Sequence, residues 1–291
     1  MVVFLQQLIT GVSIGGIYAL LAVGYALIYS VFSFTNFAFG AVLMVSAFSG
    51  YLMTTLGLGL VPALTASIAT GIVISIIIEL TAYRPMRYRG ASLLFLMISA
   101  MGINILIENL VLKLFGANLR TIPLGFSSNV LTIGNYKIGI VDIFALFASC
   151  IALIIIWRFL YKTRTGISIR ACAIDTSTSG LMGIKVDRVS LIIFAVSGVT
   201  AGIAGILFGL KYSVYPAMGA ISNKAFIASV IGGLGSLPGA VIGGFLLGSM
   251  ETLVSGYISA TYRDLFSFLV MVIILMFMPN GLLGKGVQDK I

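Results

Sequence analysis

The chain has 291 residues, of which 60% are hydrophobic and only 9% are charged. A typical soluble domain carries about 25% charged residues, so this chain cannot build a water-exposed surface and is not a soluble globular protein. Its net charge of +9 does not indicate nucleic acid as a partner, because no basic patch is interleaved with aromatics and cations at helix ends fix the orientation of membrane proteins.

Apolar runs occupy most of the chain. A helix that spans a bilayer needs about 20 mostly apolar residues, whereas strands of a transmembrane barrel alternate over about 10 residues. The runs here, such as 72–78 and 151–156, are continuous blocks, which favours helices. The predicted spans are 4–30, 37–57, 60–82, 93–115, 139–161, 190–213, 225–257 and 263–280. We therefore predict an all-α polytopic membrane protein with about eight transmembrane helices, forming a single domain over 1–291.

The basic residues predict the orientation of these spans. Nine of the seventeen cations lie in 83–89 and in a loop at about 158–190, where only Asp175 and Asp187 oppose them. The positive-inside rule places both segments in the cytoplasm, and parity then places the loop at 113–137 outside. Counting back puts the N-terminus outside, while Lys285 and Lys290 favour a cytoplasmic C-terminus. These two placements require an odd number of crossings.

The segment at about 222–257 is the predicted source of this mismatch, since it is long and is interrupted by the glycine-rich stretch 232–239. It is either a half-helix, a break and a second helix, or two short crossings. Interrupted backbone at membrane depth is tolerated only where it is buried in protein or lines a water-filled cavity. The break therefore marks either a translocation pathway or an ordinary turn between two helices.

An internal repeat is also visible. Residues 15–31 echo residues 198–214, and 36–39 echo 223–226 a little further along. If the two copies cross the membrane in opposite directions, they form an inverted repeat of the kind found in many transporters.

Three acids lie in the apolar runs, and each would cost at least about 2.5 kcal/mol at the bilayer centre unless it is paired or hydrated. Glu79 lies about one turn from Arg84, which predicts an interfacial ion pair, and Glu251 lies near a predicted helix end. Glu108 is in the middle of a run and shares a helix face with Asn104. This face predicts either contact with a substrate or hydrogen bonds between helices.

These observations give a set of candidate residues for a polar pathway through the membrane. The set consists of Asn36, Asn104, Glu108, Asn109, Gly232, Gly233, Gly235 and Ser236.

The long basic loop contains signals for a short helix. Asp175 or Thr176 can cap its start, and Gly183 can end it in a left-handed conformation. A capped, mildly amphipathic helix here would either dock a soluble partner or lie on the membrane surface.

Several segments, in order along nearly the whole chain, resemble the LivH-type permeases of branched-chain amino acid ABC importers. They are 4–8, 15–20, 36–40, 83–87, 170–175, 183–189, 232–240 and 279–284. The match in the basic loop, 170–175 followed by 183–189, is similar to the cytoplasmic coupling loop of that family. The chain departs from the family at Phe39, where His is frequent, and at Glu108, where Gln is frequent.

This resemblance implies a subunit of the cell inner membrane that pairs with a second, paralogous permease. It also implies two cytosolic ATPase subunits, which hold ATP and Mg, and a periplasmic or surface substrate-binding protein. The chain has no Gly-rich phosphate loop ending in Gly-Lys-Ser/Thr, in agreement with hydrolysis on other chains. The residues implied to couple to the ATPases are Arg164, Gly166, Arg170, Asp175, Gly183, Asp187 and Arg188.

Other functions fit parts of the sequence. An ion-coupled secondary amino-acid carrier would also use a broken helix and a buried Glu108. A related ABC permease would carry urea, an amide or another amino acid in place of leucine, isoleucine or valine. An intramembrane enzyme requires a converging nucleophile and base or a metal cluster. The sequence has no His, no paired carboxylates and no ligand set, so we expect no catalytic residue, no metal and no cofactor bound by this chain.

Overall fold

A computed structural model describes residues 2–123, 130–133 and 136–284. The described residues form a helical bundle, as expected where lipid leaves every backbone polar group to be paired within the segment. The helices before the largest loop are α1 (Val2–Phe32), α2 (Phe39–Thr55), α3 (Leu60–Ile78), α4 (Arg84–Tyr88) and α5 (Leu93–Phe115). Those after it are α6 (Ile140–Lys162), α7 (Arg164–Ile174), α8 (Thr176–Leu181), α9 (Val186–Lys211), α10 (Ile221–Gly232), α11 (Leu237–Tyr257) and α12 (Arg263–Phe277).

Seven helical segments of the described chain are long and apolar enough to cross a membrane. They are Phe4–Phe32, Leu60–Tyr88, Leu93–Phe115, Ile140–Lys162, Val186–Lys211, Leu237–Tyr257 and Ala260–Phe277, and the apolar α2 is shorter. The predicted all-α polytopic class is confirmed. The exception is a small antiparallel hairpin between α5 and α6, made of β1 (Val130–Ile133) and β2 (Tyr136–Gly139), which the sequence did not indicate.

Two predicted boundaries are wrong. The span predicted to end at 82 continues through a π-helical turn (Glu79–Tyr83) into α4, so the basic cluster is helical. The predicted loop at 158–190 consists of the end of α6, the short helices α7 and α8, and the start of α9. Charged side chains of α4 and α9 pair with each other, and this pairing stabilises helical structure beyond the apolar runs of both segments.

The two ends of the bundle can be told apart by their contacts. We call the end that carries α4, α7 and α8 the basic end. Helix α1 finishes there, since the Arg87 guanidinium lies 4.4 Å from the centre of the Phe32 ring. At the opposite or far end, Gln7 at the start of α1 packs against Gly256 near the end of α11.

Within the described residues, the chain passes nine times between these ends. The passes are α1, α2, α3 with α4, α5, α6, α9, α10, α11 and α12. Helix α10 ends at the basic end, where the Leu282 amide donates to the Ile231 carbonyl at 2.9 Å. Nine is an odd number, so the described chain starts at the far end and finishes at the basic end. The segment 222–257 contributes two passes, α10 and α11, where the list of predicted spans has one.

Helices α2 and α10 begin inside the bundle. After α1 the chain turns back, so that Phe39 at the start of α2 packs on Tyr25, with ring centroids 4.9 Å apart. Helix α10 has 12 residues and is about 18 Å long, too short to cross about 30 Å of hydrocarbon alone. The pass is completed by 212–220, which re-enters from the far end. A Cβ on Gly219 would lie 2.9 Å from the Gly40 carbonyl oxygen, so the two starts meet at backbone distance.

The helix pairing agrees with the predicted inverted repeat. Helix α1 packs on α11 through Gly15 and Gly248, and α9 packs on α3 through Gly198 and Gly71. In each pair a side chain at the glycine would clash with the partner's backbone. Gly15 and Gly198 are equivalent positions of the repeat, so the same contact is made twice.

The direction of the two copies is set by contacts between α1 and α9. The Lys211 ammonium lies 3.4 Å from the Ser13 hydroxyl, whereas Thr200 adjoins Gly24. Residues late in α9 thus meet residues early in α1. The two helices are antiparallel, which is the geometry of an inverted repeat.

We predict that Gly198→Val destabilises the fold. A valine would drive its Cβ into the Gly71 backbone, and overpacking of this kind costs about 1–3 kcal/mol. The thermal midpoint of the detergent-solubilised protein should fall. Gly102→Val is the matched control, because a Cβ at Gly102 meets nothing within 4 Å. Equal midpoints for the two variants would contradict the close crossing of α3 and α9.

Candidate functional site

A cavity of about 630 Å³ opens toward the far end of the bundle, between α1, α9, α10 and α12. Its polar lining includes Tyr18, Asn223, Lys224, Arg263, Asp264 and Ser267. Its apolar lining includes Leu119, Phe208, Ile221, Ile227 and Phe268. We call it the charged cavity.

An acid buried behind this cavity organises its polar wall. The Glu251 side chain on α11 is only 2% exposed. Its carboxylate accepts hydrogen bonds from the Tyr18 hydroxyl at 2.8 Å, the Lys224 ammonium at 2.6 Å and the Ser267 hydroxyl at 3.1 Å. Charges at membrane depth persist only where such partners exist.

Lys224 joins this buried acid to a second, accessible one. Its ammonium group also pairs with the Asp264 carboxylate at 2.7 Å, and the Asp264 side chain is 70% exposed. Lys224 lies in the first turn of α10, so the interior start of that helix brings the ammonium group into the bundle. Lys224 and Arg263 in the cavity wall are thus balanced by Asp264 in the wall and by Glu251 buried behind it.

A second, more apolar cavity of about 480 Å³ adjoins the first, and both are lined by Asn223, Ile227 and Phe268. Asn104 on α5 supplies a further amide. The remaining lining is Phe37, Met101, Ile105, Phe226 and Met271. Together the two cavities form an open cleft between α5, α10 and α12.

Of the pathway residues predicted from the sequence, Asn104 lies in this cleft. Asn36 is buried away from it, and its side-chain oxygen accepts from the Tyr83 hydroxyl at 2.5 Å and the Ala38 amide at 3.1 Å, which fixes the turn between α1 and α2. Glu108 is partly exposed one turn beyond Asn104, and Asn109 is exposed and donates to the carbonyl of Ile105 on its own helix at 2.8 Å. Neither Glu108 nor Asn109 lines the two cavities.

The glycine-rich break does not line the cleft either. Gly232, Gly233, Gly235 and Ser236 form a tight turn at the basic end, where Gly233 has a φ of 110° and packs on the backbone of Gly284. Ser236 caps α11, its hydroxyl accepting from the Gly239 amide at 3.3 Å. The break is therefore a capped turn between α10 and α11, and the interruption that faces the cleft is the return segment 212–220 before α10.

Sequence reasoning missed the main charged residues of the cleft. Lys224 lies just before a predicted span and Glu251 lies near a predicted helix end, and neither position indicates that Glu251 is buried between α1, α10 and α12. A usable signal was present, because Asn223 and Lys224 stand in the second copy of the repeat, where Asn36 and Phe37 stand in the first. Arg263 and Asp264 gave no local signal, since charges at the start of a span are ordinary.

At the basic end, α7 and α8 form a projecting elbow, which we define as residues 163–185. The Thr163 hydroxyl caps α7 by accepting from the Gly166 amide at 3.1 Å, and Asp175 caps α8 by accepting from the Ser177 amide at 2.9 Å. Gly183 follows α8 with a φ of 86°. The predicted cap and left-handed terminator are therefore confirmed.

The outer face of the elbow is exposed and mixes cations with apolar side chains. Arg164 and Arg170 are both exposed, and the Arg170 guanidinium lies 5.1 Å from the centre of the Tyr161 ring. Leu181 and Met182 are 89% and 81% exposed, which is unusual for large apolar side chains. Such a face has the composition of a docking surface.

The inner face of the elbow packs onto the bundle. Gly166 lies against the backbone of Leu160, and Ile169 and Cys172 are buried where α7 contacts α1, α6 and α9. This burial raises the pKa of the Cys172 thiol, which therefore stays neutral and apolar. Helix α7 is thus in direct contact with three membrane helices.

Asp187, in the first turn of α9 directly after the elbow, ties α9 to α4. Its carboxylate pairs with the Arg84 guanidinium at 2.8 Å and accepts from the Tyr88 hydroxyl at 2.5 Å, whereas Arg188 beside it is exposed. Asp187 therefore faces α4 within this chain.

Glu79 does not form the ion pair with Arg84 that the sequence spacing predicts. Its buried carboxylate binds both terminal nitrogens of Arg87 and accepts from the Ser190 hydroxyl at 2.5 Å. The π-helical turn separates Glu79 from Arg84, and Asp187 on α9 takes Arg84 instead.

Comparison with known proteins relates this geometry to a family. The family model described as "Branched-chain amino acid transport system / permease component" matches residues 7–275. The high-affinity branched-chain amino acid transport system permease protein LivH of Salmonella typhimurium is 35% identical over 303 residues, covering 99% of this chain and 98% of that protein. The corresponding protein BraD of Pseudomonas aeruginosa is 32% identical over 303 residues, with the same coverage of 99% and 98%.

A solved structure shares the fold. PsaBC from Streptococcus pneumoniae in complex with Fab aligns with a TM-score of 0.52 at 15% identity, over 94% of this chain and 91% of that chain. The resemblance that the sequence motifs indicated is confirmed over nearly the full length. The chain belongs to the family of permease components of branched-chain amino acid transport systems.

Proposed function

We propose that this chain is a membrane-spanning permease subunit of an ATP-driven importer that moves leucine, isoleucine and valine across the cell inner membrane. The observation that carries the proposal is the 35% identity to LivH over 99% of this chain. The cleft is compatible with such cargo, since its walls are mostly apolar and its charges are grouped at one side. The subunit moves its substrate without making or breaking covalent bonds.

The partners follow from the division of labour in such a system. A second, paralogous permease would complete the pathway on the open side of the cleft, along α5 and α12. Two cytosolic ATPase subunits, which hold ATP and Mg, would dock at the basic end on the elbow. A periplasmic or surface binding protein would deliver the amino acid at the far end, where the charged cavity opens. This chain itself would hold no cofactor.

The ion-coupled carrier is the weaker alternative. It depended on Glu108 and on the break at 232–239 as parts of a pathway. The partly exposed Glu108 does not line either of the two cavities, and the break is a capped turn at the basic end.

The proposal is tested by reconstitution of the chain with the second permease, the ATPases and the binding protein in liposomes. We expect leucine uptake that requires ATP, is abolished by vanadate and persists with a protonophore. The comparison sample contains this chain alone with an imposed ion gradient. Leucine flux in that sample, in the absence of any nucleotide, would overturn the proposal.

A second prediction concerns the elbow. Arg170→Glu reverses an exposed charge on α7 that carries no capping role, so the protein should insert and fold normally. If the ATPases dock here, uptake should fall about tenfold or more while ATP hydrolysis continues, because the loss of one charged contact weakens binding by about that factor.

Arg170→Lys is the matched control for the elbow variant, because it keeps a positive charge at the same exposed position of α7. It should transport normally. Normal uptake by the Arg170→Glu variant would remove the assignment of the elbow as the coupling element. Asp175 is less suitable for this test, since its side chain also caps α8.

A further inference from the structure

We propose that the charged cavity is a binding site for the amino acid in transit, in which Asp264 receives the α-ammonium group and Lys224 and Arg263 receive the α-carboxylate. The inference rests on the proposed function and deepens it by naming the residues that recognise the zwitterionic head group. It follows from three features of the cavity. They are an ion pair that can open toward the cavity (the separable ion pair), a cation with few hydrogen-bond partners (the under-used cation) and an apolar wall beside them.

The separable ion pair is the one between Lys224 and Asp264. Lys224 has two acidic partners that differ in exposure. The side chain of Glu251 is 2% exposed, whereas that of Asp264 is 70% exposed. The contact with Glu251 is held from behind by Tyr18 and Ser267, so it stays in place. The contact with Asp264 faces the cavity and opens without burying a bare charge.

Arg263 is the under-used cation. One terminal nitrogen donates to the Ser255 hydroxyl at 2.9 Å, and the guanidinium also interacts with the Tyr212 hydroxyl, while the buried Nε has no hydrogen-bond partner among the described residues. A guanidinium is a fork of donors that suits a carboxylate. Because Arg263 lines the cavity, an incoming carboxylate group would bind its guanidinium from that side.

Binding of an amino acid would exchange partners without changing the charge of the cavity. The substrate ammonium group takes the place of Lys224 at Asp264, and the substrate carboxylate takes the place of Asp264 at Lys224. One internal ion pair becomes two intermolecular pairs, and the net charge stays the same because the substrate is a zwitterion. A molecule with only one of the two charges would break the pair between Lys224 and Asp264 and replace only one side of it, so it would form one ion pair fewer than a zwitterion.

The hydrocarbon side chain has a place in the same cleft. Ile221 and Ile227 lie on α10 beside Lys224, and Phe208 and Phe268 face them from α9 and α12. The second cavity continues this apolar surface past Asn104. Hydrophobic walls discriminate poorly between side chains that differ by one methylene, so the site selects the head group more strongly than the length of the side chain.

The test measures protection of a cysteine inside the cleft of the assembled importer. Asn223, which is exposed and lines both cavities, is changed to Cys after Cys150→Ala and Cys172→Ala remove the native thiols. The rate of modification by a membrane-impermeant thiol reagent is measured with leucine, with 4-methylpentanoate, which lacks the amine, and with 3-methylbutylamine, which lacks the carboxylate. We expect protection by leucine and little by either analogue.

Asp264→Asn in the same background should raise the leucine concentration for half protection about tenfold or more, as expected for the loss of one charged hydrogen bond. Lys224→Gln should do the same, and Asp264→Glu should restore protection. Glu108→Gln is the matched control, because it removes a partly exposed acid from α5 that does not line the two cavities. Size-exclusion profiles establish that each variant is folded.

The inference is overturned if all three compounds protect the introduced cysteine equally or if none protects it. It is also overturned if leucine protects the Asp264→Asn variant as well as the parent. These outcomes are separate from the reconstitution experiment. An importer that takes up leucine with ATP but shows no dependence of protection on the head group retains the proposed function and loses this site. An importer that does not take up leucine loses the proposed function, and the protection assay still decides whether the cavity recognises a zwitterion.

Discussion

Lipid satisfies neither a backbone polar group nor a charge, and the whole bundle is organised around that constraint. Two of its helices, α2 and α10, nevertheless begin inside the protein, where their first amides need partners other than water. The Asn36 side chain accepts from the Ala38 amide just before α2, and a 3-10 turn at Pro216–Ala220 leads directly into α10, with the Gly219 and Met218 carbonyls accepting from the Ile221 amide. Gly40 and Gly219 let the two starts meet at backbone distance, so local turns and close packing together replace solvent.

The same constraint distributes the charges of the membrane region. The buried Glu79 is paired with Arg87 on its own helical segment near the basic end and accepts from Ser190 on α9, whereas Lys211 on α9 is paired with Asp142 on α6 at the far end. Both acids therefore tie α9 to a neighbouring helix. The cluster around Glu251 is different, because its outer acid is largely exposed to a cavity. A charge that is paired and also accessible is available for exchange with a ligand, whereas a charge enclosed between helices is available only for structure.

The features that the sequence predicted well depend on local signals. Apolar length predicts the spans, and the cap at Asp175 and the glycine at Gly183 predict α8, because each signal acts within a few residues. The repeat was visible because equivalent glycines make equivalent contacts, as at Gly15 and Gly198.

The features that the sequence did not predict depend on packing between distant segments. Glu79 chooses Arg87 over Arg84 because a π-helical turn rotates the helix and Asp187 arrives from α9. Glu108 stands out in its run, yet the orientation of α5 leaves it outside the cavities. The role of Lys224 depends on where α10 begins, and that position is set by the return of 212–220 from the far end. Periodicity within one helix carries no information about these choices.

Helix α9 connects the two functional regions of the chain. At its start Asp187 and Ser190 hold α4 and the π-helical turn, and α7 of the elbow packs on it. At its other end Phe208 lines the charged cavity, directly before the segment that returns to α10. Between these points it packs along α3 with the backbones in contact at Gly198 and at Gly202, where the Ser67 hydroxyl of α3 donates to the Gly202 carbonyl at 2.8 Å. One closely held helix therefore runs from the elbow end of the bundle to the wall of the charged cavity.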